Sequence, residues 1–275
     1  MLALLLAQLG PSVSPGAGGA LPQVPLQIPR KKKDEPAEEP QSQAEKCTWL
    51  TRNAPLDAID MADAWLETVK GAPVADPAEC KALALATLGR WADAEAAFVL
   101  GRDALPASEK RRRAELGAGA GVAAEELGAN ERALAHFDAA RIAAEASGNV
   151  VLAGKIARDR ASSLYKLERR AEAAESLAQA RIALPDDAAT WLISARLSRR
   201  LDRISEAQAY IEHAAALDPR DPEIGVEAGL IAVLDGRDAA ARKSWRSVLA
   251  MAPDSDAGKR AREYLDELGP ETASP

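Results

Sequence analysis

Aromatic residues are scarce in this chain: phenylalanine occurs 2 times, tyrosine 3 and tryptophan 5, together 4% of the sequence. Large rings therefore cannot fill the core. β-Branched residues are sparse too, which argues against a large sheet, since those side chains fit a pleated surface best. The 2 histidines, His136 and His213, have no cysteine nearby and no second histidine one turn on. The 2 cysteines, Cys47 and Cys80, form no CxxC pair, so no zinc-ligand set is present. GxSxG, HExxH and Walker motifs are absent as well, and with them the common signatures of hydrolase, metalloprotease and nucleotide chemistry. No residue is assigned a catalytic, cofactor-binding or metal-binding role, and the chain is read as non-enzymatic.

Alanine is abundant instead, and it loses no side-chain entropy in a helix. Hydrophobic residues make up 47% and charged residues 28% of the 275 positions, enough for a packed core in water. The net charge of −7, from 35 basic and 42 acidic residues, gives no general attraction for nucleic acid. Two cysteines permit one disulfide in an exported protein; two isolated thiols are the alternative.

Residues 1–20 contain the apolar run Leu2–Leu9 followed by the small residues Gly16 to Ala20. The run is too short for a bilayer, which takes about 20 apolar residues. Its pattern resembles a secretion signal without the basic start. This favours a periplasmic or otherwise exported protein, with a cytoplasmic one as the alternative. Membrane contact would come only through that segment, if it stays uncleaved. Residues 21–45 hold Pro22, Pro25, Pro29, Pro36 and Pro40 and the basic run Arg30 to Lys33, followed directly by Asp34 and Glu35. This composition predicts a disordered, solvated linker.

Internal periodicity carries most of the information. Ala94, Ala133, Ala173, Ala207 and Ala241 recur at intervals of 39, 40, 34 and 34 residues. Each is followed four residues on by a bulky residue, Phe98, Phe137, Leu177, Ile211 or Trp245. Three further on stands Gly101, Ala140, Ala180, Ala214 or Val248. Twelve residues before each alanine stands another small residue: Ala82, Gly121, Ala161, Ala195 or Gly229. Twelve residues after it stands Pro106, Pro185, Pro219 or Pro253, with Glu145 in the second unit. Two antiparallel helices approach closely only where side chains are small, and the bulky residue fills the space left. The segment Gly117 to Gly121 mimics a phosphate loop, but Lys110 to Arg113 and Glu115 precede it rather than an apolar strand, so it is read as helix packing.

These registers resemble the tetratricopeptide repeat, whose period is ~34 residues. Only Trp191 matches the family's first-helix tryptophan. The resemblance implies an all-α chain: a right-handed α-solenoid of about five helical hairpins, with an extra helix before it and a capping helix after it. The units are placed at 75–108, 114–147, 154–187, 188–221 and 222–255, within a repeat region of 75–253. The amino-terminal cap is placed at 46–74, with its helix at Leu56 to Val69. The carboxy-terminal cap is placed at 254–268 and a disordered tail at 269–275. Intervals of 39 and 40 predict longer helices or turns in the early units. A Cys47–Cys80 bond would staple the cap to the first repeat.

The resemblance also implies a concave surface lined by first helices. There it places Lys155, Arg158, Asp159, Ser162, Tyr165 and Lys166 in the third unit, and Leu192, Ile193, Arg196, Arg199 and Arg200 in the fourth. The middle of that groove reads as basic, with Tyr165 and Leu192 as apolar contacts. Arginine can hold carboxylates by two parallel hydrogen bonds. This implies a protein or peptide partner, acidic in character, for a non-catalytic scaffold. The alternative for these charges is that they only solvate the helices. Glu125, Glu126, Asp186 and Asp187 read as solvated charge and helix caps. Rival functions are an assembly subunit that oligomerises through the stack and, less favoured, an enzyme subunit. Partner identity and oligomeric state are not encoded in any motif.

Overall fold

Helix starts and stops follow directly from local chemistry. In the computed structural model, residues 42–270 are described, and thirteen α-helices occur among them. Two form the amino-terminal cap: α1 (Gln43–Asn53) and α2 (Pro55–Leu66). A 3-10 turn, Ala72–Val74, leads into five hairpins. These are α3 (Ala75–Thr87) with α4 (Trp91–Ala104), α5 (Lys110–Glu126) with α6 (Asn130–Ala146), and α7 (Val150–Lys166) with α8 (Arg170–Ala183). The last two are α9 (Ala188–Arg200) with α10 (Ile204–Leu217), and α11 (Pro222–Leu234) with α12 (Asp238–Met251). Helix α13 (Asp256–Leu268) closes the stack. The architecture is an all-α helical repeat solenoid. None of the described helices is long and apolar enough to cross a membrane.

First helices tend to open on polar caps. Asn149, Asp187 and Asp221 accept backbone N–H bonds at the starts of α7, α9 and α11, and Ser255 does so for α13, satisfying donors that have no helical partner. Second helices follow a left-handed turn residue: Gly89, Gly128, Glu168, Asp202 and Gly236 have φ of 70°, 73°, 57°, 58° and 70°. In all five hairpins the next N–H bonds back to a carbonyl five residues earlier, as Arg90 to Leu85 (2.9 Å) and Arg237 to Ala232 (2.8 Å). This is the Schellman closure. Each of the four prolines lies two residues beyond the end of its second helix, at 106, 185, 219 and 253. Helix α6, with Glu145 at the equivalent position, continues to Ala146 and stops at Gly148, φ 75°. The extra residues of the early units lengthen α5, α6 and α7 to 17 residues each.

The small-over-large nest holds in every unit. The five alanines Ala94, Ala133, Ala173, Ala207 and Ala241 are all 0% exposed, and none of the five bulky partners exceeds 6%. A Cβ added at Gly121 would come within 2.6 Å of the Phe137 ring, and one at Gly229 would collide with the Trp245 indole. Neighbouring units interlock the same way: a Cβ on Gly119 would lie 2.7 Å from Phe98 of the preceding hairpin.

The amino-terminal cap differs from the single helix expected. Helix α1 begins at Gln43 behind a Ser42–Glu45 capping box, so residues 42–45 of the expected linker belong to the folded unit. Its apolar content is too low to mark a helical face in the sequence; only Cys47 and Thr51 of this helix are buried. The helix expected at Leu56 to Val69 is α2, which starts one residue earlier at Pro55 and ends at Leu66. Cys47 of α1 and Cys80 of α3 form a disulfide, their Cα atoms 5.9 Å apart. It supplies the attachment that α1's few buried side chains do not. The apolar segment 1–20, linker residues 21–41 and tail residues 271–275 lie outside the described residues.

Glutamate at a left-handed position costs about 1 kcal/mol relative to glycine. Glu168→Gly should therefore raise unfolding free energy by about that amount, read as a shifted urea midpoint, whereas Gly128→Ala should lower it. An unchanged midpoint for both would contradict the turn geometry.

Candidate functional site

Two pairs of first helices from successive hairpins touch directly, α5 with α7 and α9 with α11. Helix α8 meets α9 over much less of its length than α6 meets α7 or α4 meets α5. At that thin junction a concave cleft of about 430 Å³ opens between α5, α7 and α9. Val122, Glu125 and Glu126 of α5 form one wall, and Ile193, Arg196, Leu197 and Arg200 of α9 form the other. Arg158, Asp159, Ala161, Ser162 and Tyr165 of α7, with Leu177 of α8 behind them, make the floor.

Most cations in and beside this cleft are already neutralised. Lys166 Nζ donates to Glu125 at 2.8 Å, and the Ser162 hydroxyl donates to the same carboxylate. Arg158 pairs with Asp159 (3.0 Å) and with Asp187 at the start of α9 (3.3 Å). Arg196 pairs with Glu223 (2.6 Å). Arg199 grips Glu227 through two N–H groups at 2.5 and 3.3 Å. Glu227 is only 2% exposed. Arg260 of α13 completes the ladder by pairing with Glu223. At the other end, Arg112 of α5 reaches Asp76 and Glu79 of α3 at 2.6 and 3.2 Å. Each rung joins one first helix, or its cap, to the next.

This corrects the expectation of a basic groove. Acids one repeat away occupy most of the arginines, a pairing that spacing within one unit does not reveal. Arg200 is the exception: its guanidinium lies 5.2 Å from the Tyr165 ring centroid, in cation–π contact, and it has no carboxylate partner among the described residues. Leu192 is a second correction. It is 5% exposed and packs with Ala195, Ile211 and Ile224, so the adjacent Ile193 lines the cleft instead. Lys155 is exposed on α7 outside the cleft. Lys166 and Arg199 flank the cleft without lining it. Glu125 and Glu126, read from sequence as solvated charge, are part of its wall. Offsets of 27 to 41 residues between opposite charges, close to one repeat, were the available signal.

The carboxyls respond differently to this setting. Burial pushes the Asp159 carboxyl above its ordinary range; Arg158 opposes the shift, and the nearby charges of Glu125 and Asp187 add to it. Burial acts in the same direction on Asp187, but hydrogen bonds from Thr190 and the charge of Arg158 outweigh it and leave that carboxyl lowered. A second network joins second helices. Arg132 and His136 of α6 reach Glu95 of α4 at 2.7 and 3.1 Å, and Arg102 reaches His136 Nδ1 at 3.3 Å. A guanidinium only donates, so Nδ1 accepts and Nε2–H donates to Glu95. His213 lies against Trp191 at 3.9 Å between ring centroids. No group of His, Cys, Asp or Glu among the described residues is arranged to hold a metal.

Removing one member of a buried ion pair strands the other. Glu227→Ala should lower unfolding free energy by about 3 kcal/mol in urea titration. Replacing Glu227 and Arg199 together by methionine should recover most of that loss. A double variant no better than the single one would assign the loss to something other than the stranded charge.

No protein-family model and no curated protein matches the sequence. Solved structures do match in fold. PilF of Pseudomonas aeruginosa is 16% identical over 81% of this chain and 96% of its own, with a TM-score of 0.62. MamA from Desulfovibrio magneticus RS-1, from residue 41 to its end, is 17% identical over 66% and 97%, with a TM-score of 0.53. YrrB, described as a TPR protein with an unusual peptide-binding site, is 17% identical over 76% and 98%, with a TM-score of 0.51. Together with the stacked hairpins and their small-residue registers, these likenesses identify the fold as the tetratricopeptide-repeat solenoid.

Proposed function

We propose that this chain is a non-catalytic scaffold that receives an extended segment of another protein in the concave cleft between α5, α7 and α9. The observation that carries this reading is the cleft itself. It opens where consecutive hairpins meet least, it is lined by both charged and apolar side chains, and an exposed Arg200 lies over Tyr165 in it. An extended backbone needs such a trough, with apolar surface for contact and charge for register. The peptide-binding site named for YrrB supports the reading by analogy of fold. A location outside the reducing cytoplasm is part of the proposal, supported by the Cys47–Cys80 pairing, because disulfides persist in oxidising compartments.

A benzophenone amino acid at Ile193 should cross-link to a polypeptide in native extract, while one at the exposed Leu56 of the amino-terminal cap should not. Combining Tyr165→Ala with Arg200→Glu should abolish the adduct and leave the helical circular dichroism unchanged. Adducts that survive the double change would remove the cleft from the function.

A second reading is self-assembly through the outer edge of the stack. It is favoured by Val150 and Ile182, 64% and 83% exposed, which line an apolar cleft of about 380 Å³ with Ala153, Gly154 and Ala183. Light scattering would then report an oligomer that Ile182→Glu dissociates; a monomeric wild-type protein excludes this reading.

A further inference from the structure

The row of arginines suggests an acidic ligand, but the charges left free point elsewhere. In the cleft, Arg158 and Arg196 are held by Asp159, Asp187 and Glu223, and beside it Lys166 is held by Glu125. Two charged side chains of the lining lack an ionic partner among the described residues: Glu126 on the α5 wall and Arg200 on the α9 wall. Glu126 is the last residue of α5 and Arg200 the last of α9, while Tyr165 is the last but one of α7. The final turns of three successive first helices therefore present an acid, an aromatic ring and a base in a row along one rim.

We propose that the segment bound in this cleft carries a basic side chain opposite Glu126, an apolar one against Tyr165 and Ile193, and an acidic one opposite Arg200. This rests on the cleft reading above and assigns the chemistry of its occupant. An extended chain advances about 3.3 Å per residue, and the Arg200 guanidinium lies 5.2 Å from the Tyr165 ring centroid. The apolar and acidic anchors should accordingly stand about two residues apart, with the basic anchor on the other side of the apolar one. The α5 side favours a cation for a further reason. Asp159 lies beside Glu125 with burial holding its carboxyl high against the opposing charge of Arg158, so a ligand ammonium or guanidinium would favour its charged form. The α9 side offers the opposite field, because Arg200 is exposed and stacked rather than paired. A wholly acidic segment would meet Glu126, Glu125 and Asp159 with no free cation on the α5 wall to offset them.

The test is selection from a displayed library of seven-residue peptides with a fixed central leucine, using the full chain. Wild-type protein should enrich peptides with Lys or Arg on one flank and Asp or Glu on the other. Glu126→Lys should replace the basic flank by an acidic one, and Arg200→Glu should replace the acidic flank by a basic one. Each reversal should weaken the peptide chosen by wild type about tenfold in fluorescence anisotropy, since attraction becomes repulsion. A benzophenone at the central position should cross-link to α7 or α9. Peptides that cross-link there but are acidic on both flanks, or are indifferent to both reversals, overturn the charge assignment and leave the cleft standing. Failure to enrich any peptide, or cross-links only outside the cleft, overturns the cleft reading and this proposal with it.

Discussion

The stack depends on one contact repeated five times: a bulky side chain of each second helix lies over a residue of its first helix that has almost no side chain. Where that residue is glycine, even a methyl group is excluded, as at Gly121 beneath Phe137. Interiors are packed near crystal density, so the fit leaves no slack. The scarcity of aromatic residues follows from this geometry. The helices come so close that one bulky side chain per hairpin, a ring in three of the five and Leu177 or Ile211 in the others, fills the space, and alanine does the rest. Two antiparallel helices joined this way still expose an apolar face, and only the next hairpin covers it. Gly119 meeting Phe98 of the preceding unit shows the same small-over-large rule operating between hairpins.

A second system, made of charge, runs along the first helices. Arg112, Lys166, Arg158, Arg196, Arg199 and Arg260 each reach an acid on a neighbouring first helix or its cap. Exposed rungs such as Arg112–Glu79 contribute little, typically under about 1 kcal/mol. The rung at Glu227 is different because the carboxylate is buried, and an unpaired charge there would be severely penalised. The ladder sets hairpin register, and by neutralising most cations it defines which charges remain to meet a ligand.

The hairpins were legible in the sequence because their signals are local or strictly periodic. Ala207, four residues before Ile211, and Pro219, two beyond the end of α10, each act within one unit. Helix α1 was not legible, since a helix held by a disulfide and two buried residues has little apolar periodicity. The cleft was half legible. Tyr165 and Arg200 line it as their registers implied, but Leu192 turned inward while Ile193 lines the wall. One residue is about 100° of helix rotation, and register borrowed from a repeat family does not resolve that angle. Electrostatic character was misread for a different reason. Whether an arginine is free depends on the residue one repeat away, and Glu125 opposite Lys166 is invisible from either unit alone.

The cleft lies beside the junction where consecutive hairpins share least surface. Helices α5, α6 and α7 have 17 residues, while α8 to α12 have 13 or 14. The second and third hairpins meet extensively through α6 and α7, and the contact thins at the next junction, between α8 and α9. A solenoid adjusts its curvature most easily where adjoining units share least surface. The cleft sits at that joint, bridged by Arg158 to Asp187 and by Arg200 over Tyr165. On the proposed reading, a ligand that engages Glu126 on one side and Arg200 on the other would span this joint, so that binding and local curvature would be one equilibrium.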